Sequence, residues 1–247
     1  MTALESFARS ASPGRRRTAA LLILAAVLAN LAFAALGSIF NYPDVLDEPA
    51  GQVLASFRDH EAPVRIWFSV LALSAGLLAP IAIGVGRLTA ARAMRFAVPV
   101  GVAAAVVQVI GLLRWPILVP GYASDAASTN AAQAASGRDA FTTASDILGT
   151  GVGETLGYLL TAVWTALVVL ALGRAFAGRW FQVLGGLAAG LVLVGVLSPL
   201  DLPAVDGLNF VGYVLWSIWL VAFGVAILVR ERRSAPRPVL ARDGVAV

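Results

Sequence analysis

Residues 111–116 read GLLRWP and residues 151–158 read GVGETLGY, and each stretch lies inside a long apolar segment. Each stretch carries one full charge, Arg114 in the first and Glu154 in the second. A charged side chain at the centre of a membrane helix costs about 2.5–3.5 kcal/mol on insertion scales. We therefore expect Arg114 and Glu154 to meet inside a helix bundle, with an outward-facing polar pocket around them.

The composition is that of an integral membrane protein. Of the 247 residues, 59% are hydrophobic and 13% are charged, whereas a soluble domain carries about 25% charged residues. The absence of cysteine excludes disulfides and thiolate metal sites. The single histidine, His60, excludes a bis-histidine haem and a histidine-rich metal site. We expect no metal and no cofactor.

Hydropathy predicts an all-α polytopic bundle of six transmembrane helices, because about 20 apolar residues span the hydrocarbon core. The predicted spans are residues 18–38, 64–86, 96–121, 139–173, 180–200 and 208–229. The first span also resembles a signal peptide with a cleavage site at 32–34, but its apolar run is longer than a signal peptide needs. Residues 1–17 and 230–247 are then a cytoplasmic N-terminal segment and a disordered basic cytoplasmic tail around residues 18–229.

The connections between spans carry patterns of their own. A short amphipathic outer helix is predicted between Pro49 and Pro63. Residues 122–137 are rich in Ala, Ser, Thr and Asn, which predicts an exposed loop. Pro80 predicts a kink in the second span. The fourth segment is longer than one span, so we expect its first two turns to project from the bilayer or to break at 149–151.

The arginines predict the topology, because all 18 basic residues are arginine. With six spans, Arg58, Arg65 and Arg138 fall on one side, Arg114 falls within the membrane, and every other arginine falls on the opposite side. The positive-inside rule then predicts a multi-pass protein of the inner (plasma) membrane with both termini in the cytoplasm. We expect the lipid bilayer, and no nucleic acid, as its partner.

Helical rise predicts that Arg114 and Glu154 lie at the same depth. Each lies about 18–19 residues from the cytoplasmic end of its span, which at ~1.5 Å per residue is roughly 27–29 Å. A direct or water-bridged ion pair is therefore expected in the outer leaflet. Other polar and aromatic groups converge on this level. The predicted ligand-binding residues are Asn41, Asp44, Gln108, Arg114, Trp115, Asp146, Glu154, Tyr158, Trp164, Asn209, Tyr213 and Trp216.

Two features of this region have a purely structural interpretation. The tryptophans and tyrosines also fit an interfacial aromatic belt around an anchoring ion pair. Glycines recur every fourth residue in two rows, one at 149, 153 and 157 and one at 186 and 190. Small residues at this spacing let helices approach closely, so both rows are predicted to serve packing.

Four stretches resemble the bacterial membrane family called domain of unknown function 4386. They are residues 39–46, 108–116, 153–158 followed by Trp164, and 213–219. The resemblance implies six helices and supports the importance of Arg114 and Glu154. It implies no activity. Family members often carry a histidine near the Gly-Glu element, and residues 142–158 contain none, which is a departure from the family pattern.

Three functions fit these observations. The first is binding or moving a small amphiphilic ligand with an acidic or polar head, anchored at Arg114. The second is an intramembrane acid–base enzyme, an isomerase, cyclase or lyase, with Glu154 or Asp146 as the catalytic residue. The third is a regulatory or structural membrane protein whose basic tail, residues 230–242, contacts anionic lipid or a partner protein.

Overall fold

The computed structural model describes residues 13–200, 202 and 204–234, and within them the chain is helical, with no strand. The α-helices in chain order are α1 (Pro13–Phe40), α2 (Ala50–Asp59), α3 (Glu61–Gly76), α4 (Leu78–Gly86), α5 (Arg92–Ile117), α6 (Val119–Ala126), α7 (Ala131–Ala144), α8 (Gly157–Ala177), α9 (Arg179–Val194) and α10 (Val205–Ser234). A π-helical segment, Ser145–Leu156, joins α7 to α8, and 3-10 turns cover Asp44–Asp47 and Gly195–Leu200.

Six helical stretches are long and apolar enough to cross a membrane, which confirms the predicted six-helix bundle. They are Pro13–Phe40, Glu61–Gly86, Arg92–Ala126, Ala131–Ala177, Arg179–Leu200 and Val205–Arg233. The chain is therefore a multi-pass membrane protein. Packing follows chain order: α1 contacts α3 and α4, these contact α5, and α5 contacts α8. The helices form a closed ring, because α9 packs between α8 and α10, and α10 packs against α1.

Charge divides the two ends of the ring. We call the end that holds the first turns of α1 and the last turn of α10 the basic end. Its described arginines are Arg15, Arg16, Arg17, Arg87, Arg92, Arg95, Arg174, Arg179, Arg230, Arg232 and Arg233. The opposite, acidic end holds α2, α6, α7 and the π-helical segment, and all described carboxylates except Glu231 lie in its connections and helix ends.

Proline and helix capping explain two local shapes. The second span is interrupted at Leu77, three residues before Pro80, because the proline ring crowds the carbonyl group one turn earlier. The predicted loop at 122–137 is wrong: most of it belongs to α6 and α7. Alanine favours helix, and Asn130 caps α7 by accepting hydrogen bonds from the backbone N–H groups of residues 132 and 133.

The fourth span is longer than one membrane crossing, and it is continuous. Residues 131–177 form one helical run of 47 residues, so the chain is not broken at 149–151. Instead, Ser145–Leu156 winds as a π-helix, and Gly149 and Gly153 lie within it. Most π-helices are single-turn bulges, often at functional sites. A segment of 12 residues is long for this conformation, and it contains Glu154.

The short amphipathic helix predicted between Pro49 and Pro63 is present as α2, and it covers an aromatic cluster at the acidic end. Val53, Leu54 and Phe57 on its inner face are buried. The cluster is centred on Trp115, which is fully buried. The Trp115 ring centroid lies 4.7 Å from Phe68 in a stacked geometry. The other rings around Trp115 belong to Phe40, Phe57 and Phe141.

The terminal helices extend beyond the predicted boundaries of the membrane domain. Helix α1 begins at Pro13, and α10 continues to Ser234, so residues 230–234 are helical where a disordered tail was predicted. Arg16 and Glu231 form an ion pair at 3.2 Å that joins these two helices. The rest of the predicted tail, residues 235–247, lies outside the described residues.

Candidate functional site

The Arg114 guanidinium lies between α5 and the π-helical segment. Arg114 is 6% exposed. Its Nη1 atom donates a hydrogen bond to the Gly111 carbonyl oxygen at 2.8 Å. A methyl group added at Gly149 would lie 2.7 Å from Arg114 Nη2. Glycine at position 149 therefore leaves the space in which the guanidinium sits.

The other two glycines of this row, Gly153 and Gly157, pack against α5. A Cβ atom at Gly111 would lie 2.6 Å from the Gly153 Cα atom, so the two backbones are in direct contact. A Cβ atom at Gly157 would lie 2.9 Å from Gln108 Cγ. The close helix approach predicted for this row is confirmed at Gly153, whereas Gly149 and Gly157 face the side chains of Arg114 and Gln108. The prediction is wrong for Gly186 and Gly190, where no atom lies within 4 Å of an added Cβ.

Arg114 and Glu154 are neighbours, but they do not form the direct ion pair predicted from the sequence. No carboxylate oxygen among the described residues lies within 4.0 Å of the guanidinium. The two charges still interact electrostatically over a longer distance. The physical reason is local: the guanidinium is held back by the Gly111 carbonyl and fits against Gly149. Glu154 is half-buried.

Tyr42 is a site residue that sequence reasoning missed. It lies in the turn after α1, and its phenol interacts electrostatically with both Glu154 and Arg114. Burial is the main cause that raises the pKa of Tyr42 to about 12, Glu154 adds to the increase, and Arg114 opposes it. The signal was present, because Tyr42 lies between Asn41 and Asp44, which were both predicted to bind ligand.

A second polar group lies beside Glu154, at the ends of α8 and α10. The rings of Tyr158 and Tyr213 are 5.6 Å apart, and both phenols interact electrostatically with Glu154. Asn209 donates a hydrogen bond from Nδ2 to the Val192 carbonyl oxygen at 2.9 Å. The structure thus brings together Arg114, Glu154, Tyr158 and Tyr213 of the predicted set, with Tyr42 added.

A second residue near this group was also missed. Asp206, in the first turn of α10, interacts electrostatically with Glu154. Its Oδ1 atom accepts a hydrogen bond from Ser198 Oγ at 2.6 Å. Asp206 was overlooked because it precedes the predicted start of the sixth span at residue 208, whereas α10 begins at Val205.

Several predicted ligand-binding residues lie elsewhere or have other partners. Asn41, Asp44 and Asp146 are exposed. Trp115 belongs to the aromatic cluster under α2, and Trp164 belongs to the main core cluster, where it packs on Trp219 and Trp216. The remaining polar atoms are used in packing: Gln108 Nε2 donates to Thr161 Oγ1 at 3.0 Å, and Trp216 Nε1 donates to Thr165 Oγ1 at 2.9 Å.

This arrangement is suited to recognising a negatively charged group. Arg114 Nε is buried and has no hydrogen-bond partner. A buried guanidinium is stabilised when its remaining donors reach an anion, and carboxylate or phosphate fits its planar geometry. The described residues contain no group of three or more His, Cys, Asp or Glu side chains that could hold a metal ion.

Comparison with known proteins shows a family and no activity. The family model described as a domain of unknown function, DUF4386, matches residues 18–224. This range covers all six membrane-crossing stretches except the ends of the first and the last. No curated protein and no solved structure matches the chain.

Proposed function

Because the chain belongs to the DUF4386 family of unknown function, we propose its function from the site itself: it binds a small amphiphile with a single acidic head. Arg114 binds the head. Glu154 and the phenols of Tyr42 and Tyr158 form its polar surroundings. The apolar tail extends toward the membrane core. The arginine distribution favours cytoplasmic termini, and with that topology the site faces outward.

The observation that supports the proposal most strongly is the state of Arg114. A charge that is taken out of water costs free energy unless it is paired or hydrogen-bonded. Arg114 is only 6% exposed. Its Nε atom nevertheless has no hydrogen-bond partner, and no described carboxylate oxygen lies within 4.0 Å of the guanidinium. An anionic head at this position would supply the missing acceptor.

The surroundings favour one acidic group over several. Glu154 and Asp206 already interact with each other electrostatically near the site, and like charges repel at this range. A head with one negative charge gains from Arg114 while adding little repulsion. The phenols of Tyr42 and Tyr158, which interact with both charges, can donate hydrogen bonds to such a head.

The proposal is tested with a matched pair of probes, decanoate and decanol. Purified protein in detergent is titrated with each probe, and binding is measured by calorimetry and by the shift in melting temperature. We expect decanoate to bind and to raise the melting temperature, decanol to do neither, and Arg114→Gln to lose decanoate binding. Equal binding of the two probes, or unchanged decanoate binding by Arg114→Gln, would contradict the proposal.

Acid–base catalysis remains the second candidate, supported by the position of Glu154 on a π-helical segment beside two phenols. Such segments are frequent at functional sites. Glu154→Gln separates the two functions, because it removes the titratable group while leaving the Arg114 side chain intact. If Glu154→Gln still binds decanoate but no longer supports the protein's function in cells, acid–base catalysis is favoured. If the variant still supports that function, acid–base catalysis is excluded.

A further inference from the structure

A cavity lies at the basic end, opposite to the site around Arg114. It has a volume of about 650 Å³ and lies between the turn that joins α8 to α9 and one face of α10. Phe176 and Trp180 line it from the turn. On α10, the small side chains of Ala222 and Ala226 line it one helical turn apart, which leaves a groove between larger neighbours.

Arginines lie at the end of this groove. Arg230 and Arg233 are three residues apart and continue the same face of α10 beyond Ala226. The Arg230 guanidinium is held in place, because Nη1 donates to the carbonyl oxygens of Ala175 and Phe176. Its Cζ atom also lies 5.1 Å from the Phe176 ring centroid. The groove therefore has an apolar length and a positively charged end.

No described carboxylate lines this cavity. The nearest acidic residue in the sequence is Glu231, and it is ion-paired with Arg16 at 3.2 Å. Glu231 lines a separate, smaller cavity together with Arg16, Leu228 and Arg232. Two faces of the last turns of α10 are thus distinct: one carries the Arg16–Glu231 ion pair, and the other carries Arg230 and Arg233 beside an apolar groove.

We propose that this groove is a binding site for one anionic phospholipid. Its acyl chain would lie along Ala222, Ala226 and Phe176, and its phosphate would contact Arg230 and Arg233. Basic pockets between transmembrane helices at the cytoplasmic side are suited to acidic lipid heads. The exposed Trp180 lies beside the groove, and tryptophan favours the depth of the lipid head groups. This site is independent of the function proposed for Arg114.

The test compares two lipids with identical chains, dioleoyl phosphatidylglycerol and dioleoyl phosphatidylcholine. The full chain is purified in detergent, each lipid is added in turn, and retained lipid is counted by native mass spectrometry. We expect retention of one phosphatidylglycerol in preference to phosphatidylcholine. Arg233→Gln should lower that retention about fivefold, the contribution of one arginine beside anionic heads. Ala226→Trp should lower it too, because the indole fills the groove.

Arg232→Gln is the matched control, since it removes the same charge from the neighbouring face and should leave retention unchanged. Arg114→Gln removes the anion anchor at the opposite end, so any lipid lost in that variant belonged to the Arg114 site and not to the groove. Equal retention of the two lipids, an equal loss in Arg232→Gln and Arg233→Gln, or a loss confined to Arg114→Gln would each overturn the proposal. Melting temperatures of all variants identify any loss of retention that comes from unfolding.

Discussion

Gly149 and Arg114 are fitted to each other: a methyl group at residue 149 would lie 2.7 Å from Nη2 and 2.8 Å from Cζ of the guanidinium. These atoms are the far end of a flexible side chain, and they can move when the space is filled. The contact therefore fixes the position of the positive charge more than it fixes the helices. A substitution at Gly149 can therefore impair ligand binding without disturbing the packing of the helices.

Gly149→Ala is expected to weaken decanoate binding while changing stability little. The added methyl group displaces the guanidinium from its place beside Gly111, and a displacement of a binding group by about 1 Å is enough to impair function. We expect at least a tenfold rise in the dissociation constant and a melting temperature close to that of the parent protein. Calorimetry and thermal unfolding in detergent measure the two quantities.

Gly190→Ala is the control for that experiment, because no atom lies within 4 Å of an added Cβ at this residue. It introduces the same methyl group into another membrane helix. Decanoate binding should be unchanged. Equal binding by Gly149→Ala and the parent protein would show that the position of the guanidinium does not matter to the ligand.

Gly111→Ala is expected to destabilise the protein, in contrast to Gly149→Ala. The added Cβ would lie 2.6 Å from the Gly153 Cα atom and 2.8 Å from the Leu148 carbonyl oxygen, and backbone atoms cannot turn aside. Overpacking of this kind costs about 1–3 kcal/mol. Thermal unfolding should show a clearly lower melting temperature than that of Gly121→Ala, where no atom lies within 4 Å. Similar melting temperatures for the two variants would contradict the close contact of α5 with the π-helical segment.

Tyr42 should give stability a dependence on alkaline pH. Its pKa is raised from 10.0 to about 12 in the folded protein, so the folded state keeps a proton that the unfolded state loses. Its contribution is complete below pH 10.0 and is lost as pH rises toward 12. Tyr42→Phe removes this contribution to stability. Between about pH 8 and pH 11, the melting temperature of the parent protein should fall more than that of Tyr42→Phe. Parallel curves would show that Tyr42 is not held away from water.

The proposed topology is open to a labelling test, because the chain has no cysteine of its own. Thr129→Cys places a thiol in the exposed turn between α6 and α7, and Arg232→Cys places one in the last turns of α10. A maleimide that cannot cross membranes should label Thr129→Cys in intact cells and Arg232→Cys only after permeabilisation. The reverse pattern would turn the site around Arg114 toward the cytoplasm.

The sequence was sufficient for the number of spans and for the short helix α2. Apolar runs of membrane length are separated by arginine clusters, and Val53, Leu54 and Phe57 recur at helical spacing between two prolines. These signals are local and strong. The same reasoning failed at residues 122–137, because polar residues among alanines resemble a loop until the cap at Asn130 is recognised.

The site was predicted in outline only. Equal depth of Arg114 and Glu154 followed from counting residues, and the structure brings the two near each other. The direct ion pair did not form, because the guanidinium is held at the Gly111 carbonyl oxygen and beside Gly149. Hydropathy reveals neither these contacts nor the π-helix. The contact of Gly149 with Arg114, and the position of Tyr42 near Arg114 and Glu154, depend on side chains from three separate elements.

The most direct test of the account is a high-resolution density map of the protein purified from its own membrane, inspected beside Arg114. We predict an elongated density whose head lies within hydrogen-bond distance of the guanidinium and whose tail extends away from Glu154. A map in which the Glu154 carboxylate itself contacts Arg114, with no other density at the guanidinium, would contradict it.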